Sequence, residues 1–253
     1  MFSFDDFVKN ARFATILTTG RTGSDYLNAC LHGLNEIVTL NSPINFFIEF
    51  LNKDRCNYGK IDKIPRDQIL DDFCLFYKEK LFKEDLEENK KIGLDINEFK
   101  KILRNNFLEK NISIRNFFLL VHYVYHLLEN RKIDQNSLVL YHAHSFGETE
   151  EFLKLFPKSY LLITIRDPRD NLKSSLINTS KNRSFPITNA FFFRKITRIY
   201  NDIFFFKEYF KQKKFFIKLE TANKKYNKKK LCDFLKIEFN QKIMIATYGK
   251  NSF

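Results

Sequence analysis

The sequence predicts an α/β protein with three layers: a central parallel β-sheet flanked by helices, with a helical insertion at about residues 44–136. Three observations predict it. Short β-rich runs alternate with helical stretches near both ends of the chain, the stretch between them shows helical apolar spacing throughout, and no internal repeat or low-complexity linker divides the 253 residues. One domain over residues 1–253 is the expected count.

The first strand is expected at residues 13–19 (FATILTT), and it runs directly into Gly20, Arg21, Thr22, Gly23 and Ser24 and then a helix at about 25–34. Residues 36–40 (EIVTL) read as a short strand ended by Ser42 and Pro43. In the insertion, apolar residues recur at helical spacing over 69–86, 99–108 and 117–128, between charged faces. β-Rich runs return at 137–142 (SLVLYH) and 160–165 (YLLITI), separated by a helix near 148–155. Helices at about 170–179 and 190–210, a strand at 215–219 (FFIKL) and a helix near 227–235 complete the alternation. Strands separated by helices need crossover connections, and these make the sheet parallel.

Composition narrows the function classes. With 44% hydrophobic and 29% charged residues, the chain is neither disordered nor a collagen-like or disulfide-built scaffold. Its 30 Phe accompany abundant Lys, Asn and Ile, as AT-rich coding would give, so Phe number carries no functional signal. Cys30, Cys56, Cys74 and Cys232 form no C-x-x-C pair, which points away from a zinc knuckle and toward a reducing cytoplasm. The acidic N-terminal residues and the lack of a long apolar run predict neither a secretion signal nor a transmembrane segment. The net charge is +13, of which +8 falls between Lys211 and Lys230. That segment reads as a solvated helix face or an anion-binding surface, and its interleaved Phe215, Phe216 and Tyr226 make a nucleic-acid-binding protein the rival reading from outside the enzymes.

Two motifs carry chemistry. The loop from Gly20 to Ser24, set between a strand and a helix, presents backbone N–H groups to an anion and adds the favourable partial charge of a helix N-terminus. It lacks the Lys-Ser/Thr ending of a nucleoside-triphosphate loop, and Asp25 stands where that hydroxyl would be, which disfavours a standard ATPase or GTPase. The second motif is a strand ending in Arg166, followed by Asp167, Pro168 and a helix that carries Ser174. A guanidinium fork and a hydroxyl so placed can converge on one phosphate, whereas a structural role would pair Arg166 with Asp167 or Asp170.

Together these motifs resemble the sulfotransferases that use 3′-phosphoadenosine 5′-phosphosulfate. In that family a loop after the first strand holds the 5′-phosphosulfate, and an R-x-P-x-D-x-x-x-S type motif holds the 3′-phosphate. Arg21, Thr22, Gly23, Ser24, Asp25 and Tyr26 look like the first motif, and Arg166 with Ser174 looks like the second. The resemblance spans about residues 12–41 and 137–239, includes the run from Phe216 to Glu220, and implies a P-loop-like sulfotransferase fold. Asp25 departs from a common Thr or Ser, and its carboxylate would repel the donor unless it points away. Residues 247–252, with Gly249 and Lys250, match the family's closing segment only weakly.

A general base is also needed, because the acceptor hydroxyl must lose a proton. His144 follows the strand at 137–142, whose C-terminal end should open on the nucleotide crevice, and the cytosolic branch of the resembled family keeps its catalytic His there. His142 shares a face with His144 if the strand continues, so a metal pair is conceivable, though no third ligand follows at a suitable spacing. Glu36 and Glu49 are rival bases, since other branches use a carboxylate after the first helix. The resemblance thus implies a metal-independent cytoplasmic transferase, with Arg21 and His144 catalytic and a hydroxyl acceptor on a glycan or glycolipid selected by the insertion. A small-molecule kinase with a P-loop-like fold is the alternative enzyme, disfavoured by the missing Gly-Lys-Ser/Thr and the lack of a clear Mg²⁺-binding acid.

Overall fold

Six consecutive buried residues in the strand Arg12–Thr18 (β1) mean that helices cover both of its faces, as a central parallel strand requires. The computed structural model describes residues 2–18, 20–40, 47–52, 66–81, 96–108, 113–143, 145–182, 188–248 and 251–252. Before β1 stands the helix Phe4–Asn10 (α1), and after it come Ser24–His32 (α2) and the strand Ile37–Val38 (β2). The helices Phe47–Asn52 (α3), Arg66–Leu81 (α4), Ile96–Leu108 (α5) and Ile114–Leu128 (α6) follow, where the sequence predicts a helical insertion. Then come Leu138–Ala143 (β3), Phe146–Leu155 (α7), Tyr160–Ile165 (β4), Pro168–Asn182 (α8), Asn189–Glu208 (α9), Lys214–Lys218 (β5) and Lys225–Leu235 (α10). Thr247–Tyr248 (β6) and Asn251–Ser252 (β7) pair as a small antiparallel ribbon.

The main sheet has five strands in the order β2-β3-β1-β4-β5, and every pairing is parallel. The α/β class and the parallel sheet are therefore as predicted. The chain reaches β2 and β3 on one side of β1 and then crosses to β4 on the other. This reversal beside β1 leaves a crevice at the C-terminal edge of the sheet, the usual ligand position in open α/β folds.

Alternation along the strands divides the core between the two faces. Ala14, Ile16, Leu140 and Leu162 pack with Leu27 and Leu31 of α2 and Leu231 and Leu235 of α10. On the other face, Tyr141 and Ala143 meet Phe118 of α6 and Phe152 of α7, and Leu17 and Ile163 meet Phe206 and Phe210. Much of the Phe content fills this second face: Phe47 lies edge-on to Phe118 at 4.9 Å and Phe73 edge-on to Phe117 at 5.2 Å.

Candidate active site

The loop that leaves β1 turns back sharply, with positive φ at Gly20 (79°), Arg21 (54°) and Gly23 (82°). Glycine adopts this region without steric cost and arginine does not, so Arg21 holds local backbone strain of about 1–2 kcal/mol. Gly23 is the N-cap of α2 and has no side chain with which to cap that helix end. The first-turn N–H groups of α2 thus point to the crevice edge, the arrangement that suits an oxyanion. Thr22 fixes the loop from inside: its Oγ1 lies 2.7 Å from Thr18 Oγ1 and 2.6 Å from Thr164 Oγ1, and Thr18 Oγ1 also accepts the Gly20 N–H at 2.9 Å. Thr22 and Ser24 are buried, so only their backbone is placed to face a ligand.

The two motifs meet in space. Arg166 Nη1 donates to the Arg21 carbonyl and Arg21 Nε donates to Ser174 Oγ, each at 3.4 Å. Asp167 does not engage Arg166. It binds Arg169, accepting from Nε at 3.0 Å and from Nη2 at 2.8 Å, and these bonds hold its carboxyl well below the usual range. The Asp167 N–H donates to Glu220 Oε1 at 2.9 Å, which ties the start of the Arg166 loop to the end of β5 and lowers the Glu220 carboxyl. Among the described residues Arg166 and Asp167 form no pair; the Arg166 guanidinium instead helps lower the nearby Glu220 carboxyl, and Arg21, Arg166 and Ser174 meet at one basic corner beside the loop amides. Such a corner supplies charge-assisted hydrogen bonds to a phosphate.

Among solved structures, the sulfotransferase domain from the curacin biosynthetic pathway is similar over 94% of this chain and 79% of its own, with a TM-score of 0.52 and 14% identity. The chain has a sulfotransferase fold. The sulfotransferase domain of the Synechococcus PCC 7002 olefin synthase (TM-score 0.49, 14% identity, 95% of this chain and 78% of that one) is also similar. So is the sulfotransferase STF9 from Mycobacterium avium (TM-score 0.45, 11% identity, 94% and 68%). No protein-family model and no curated protein sequence matches the chain.

Within this sulfotransferase fold, Asp25 turns from the loop toward β3. Its Oδ1 lies 3.8 Å from Nδ1 of the buried His142, while 43% of its side chain stays exposed. That oxygen faces β3, while the rest of the carboxylate stays partly exposed at the start of α2. Tyr26 is half-buried, and desolvation, with a smaller effect of Cys30, raises its phenol to about 12. Lys228 Nζ sits over the Tyr26 ring, 4.9 Å from its centroid.

Lys228 is the exception in a basic segment that is otherwise largely solvated. Lys224, Lys225, Lys229 and Lys230 are exposed, but Lys228 is 2% exposed, and its Nζ has no hydrogen-bond partner among the described residues. A Lys-rich helix hides which of its lysines turns inward. Only the apolar positions Leu231 and Leu235, three and seven residues on, would have placed Lys228 on the packed face.

Glu36 stands at the wrong edge of the fold for a base. It precedes β2, its carbonyl accepts from Leu138 N at 2.7 Å where β3 begins, and its carboxylate accepts from Glu238 N at 3.2 Å. His144, the side chain of Glu49, and Gly249 with Lys250 lie outside the described residues, as does Cys56. Cys30, Cys74 and Cys232 are buried free thiols. Among the described residues, no group of three or more His, Cys, Asp or Glu side chains could hold a metal ion, and no helix is long and apolar enough to cross a membrane.

Proposed function

We propose that the chain is a cytoplasmic sulfotransferase, acting as one domain over residues 1–253, that moves a sulfuryl group from 3′-phosphoadenosine 5′-phosphosulfate to an acceptor hydroxyl. The observation that supports this most is the convergence of Arg21, Arg166 and Ser174 at one corner of an uncapped helix N-terminus. Two phosphate-type sites in one crevice suit a donor that carries a 3′-phosphate and a 5′-phosphosulfate. Arg166 and Ser174 hold the first, and the loop amides of Thr22, Gly23, Ser24, Asp25 and Tyr26 hold the second. The Tyr26 ring, backed by the Lys228 ammonium, walls the adjoining side.

Arg21 stabilises charge growing on the leaving phosphate, and His144 accepts the acceptor proton. The acceptor oxygen forms its bond to sulfur as the bond from sulfur to the 5′-phosphate oxygen breaks. The electron pair leaves on that phosphate, and no step calls for a metal ion. Resemblance favours a glycan or glycolipid hydroxyl as acceptor.

Turnover of a His144→Ala variant tests the scheme, measured by the mass gained by an acceptor or by slow donor hydrolysis. It should fall about 10²–10⁴-fold, with affinity for 3′,5′-bisphosphoadenosine unchanged. Activity within about threefold of wild type would place the base elsewhere.

A further inference from the structure

The molecule carries an open groove of about 570 Å³ that the donor site does not use, lined by Phe146, Arg194, Thr197, Arg198, Asn201 and Phe205. Its position follows from the fold. Phe146 is the first residue of α7, so it stands just past the C-terminal end of β3, the end that carries His142. The α9 helix descends toward the start of β5, which places its N-terminal half at the C-terminal edge of the sheet. From Phe205 back to Arg194 it rises about 16 Å at 1.5 Å per residue. The groove therefore starts beside the end of β3 and climbs above the same edge that holds the loop, Arg166 and Ser174.

Its two ends differ chemically. At the lower end Phe146 is clamped among Phe205, Tyr209 and Phe210, with ring centroids 5.7, 5.0 and 5.0 Å away. At the upper end Arg194 and Arg198 lie one helical turn apart on one face, with Thr197 and Asn201 beside them, and Arg194 rests over the Phe191 ring at 5.9 Å. Two guanidinium groups and two short polar side chains over an aromatic floor match a molecule with an oxyanion at one end and an apolar body at the other. A volume of this size is typical of a small-molecule site.

We infer that this groove, on α7 and α9 rather than in the insertion expected to select the acceptor, is the acceptor subsite and that it selects hydroxyl compounds bearing a carboxylate or a phosphate, held by Arg194 and Arg198, next to an apolar group that packs on Phe146 and Phe205. The inference rests on the sulfotransferase reading for the word acceptor. The groove's preference for an anion is independent of it and is measured without donor.

Calorimetry with para-nitrophenyl β-D-glucuronide, the neutral para-nitrophenyl β-D-glucoside and the same glucoside phosphorylated on its primary hydroxyl provides the test. At least one anionic glycoside should bind tenfold or more tighter than the neutral one, and the stronger of the two tells carboxylate from phosphate. In an Arg194→Gln/Arg198→Gln variant that preference should fall to about onefold, while an Arg194→Lys/Arg198→Lys variant keeps part of it. Affinity for 3′,5′-bisphosphoadenosine and the thermal melt should match wild type in both. Equal binding of charged and neutral glycosides, a preference that survives the Gln variant, or no glycoside binding at all would overturn the inference, the last pointing to a protein segment on the aromatic face of α9. If the bisphosphate fails to bind wild type while the arginine-dependent preference holds, the donor reading fails and the anion site stands.

Discussion

Gly23 meets two demands that no other residue type satisfies together. Its φ of 82° lies where L side chains are strained, and a Cβ there would come 2.3 Å from Leu219 Cδ1. Gly20 has nearly the same φ, 79°, yet a Cβ there meets nothing within 4 Å. Ala at Gly20 should therefore cost only the conformational strain, about 1–2 kcal/mol. Ala at Gly23 should cost more in urea unfolding, because the Leu219 side chain must also swing aside. Equal losses for the two variants would show that the Leu219 contact is slack. The sequence named Gly20 and Gly23 as loop glycines from their place between a strand and a helix. It held no sign of Leu219, which lies 196 residues further on and arrives only through the β4–β5 pairing. The sequence hides the Asp25–His142 contact for the same reason, since it depends on β3 inserting beside β1.

At the scale of elements, legibility followed length and pattern. β1, β3 and β4 read clearly because each is a run of β-branched and apolar residues buried on both faces. The α1 helix was not predicted: with seven residues it is too short to show a period, and its evidence is the Ser3–Asp6 capping box. The α6 helix read as amphipathic, but its buried histidines were not anticipated. His122 Nδ1 lies 2.8 Å from the Phe118 carbonyl, and His126 Nε2 lies 3.0 Å from the Thr39 carbonyl. Across from them Arg131 donates to the carbonyls of His32, Leu34 and Ile37 at 3.1, 2.9 and 3.2 Å, joining the end of α6 to the turn before β2. Desolvation lowers His32 and His122 to about 4 and His126 well below its usual value, with Arg131 adding to the effect on His32 and His126. These imidazoles are neutral in the fold and take up protons once unfolded below about pH 6.5. Stability should therefore be complete above that pH and fall steadily from pH 6.5 toward about 4. Thermal melts across that window check it, with a shallower slope expected for His122→Gln. A flat profile would contradict the burial of these groups.

For the whole molecule, the charge and the fold give different information. The +8 between Lys211 and Lys230 lies mostly on exposed side chains in and around β5 and α10, whereas the basic corner of the candidate site is built from single arginines on two loops far apart in sequence. Net charge therefore gave little guidance to the site. The motif pair gave more, because a loop after the first strand and an arginine at the end of a neighbouring strand can share one crevice only in a fold of this topology. Phosphate recognition at that corner is the central claim, and calorimetry in metal-free buffer tests it most directly. Wild type should bind 3′,5′-bisphosphoadenosine. Arg166→Ala should weaken that binding at least tenfold, as the loss of a charge-assisted hydrogen bond of about 1.5–3 kcal/mol requires, while barely changing affinity for adenosine 5′-phosphosulfate, which lacks the 3′-phosphate. No binding of the bisphosphate by wild type, or equal losses for the two ligands, would contradict the account.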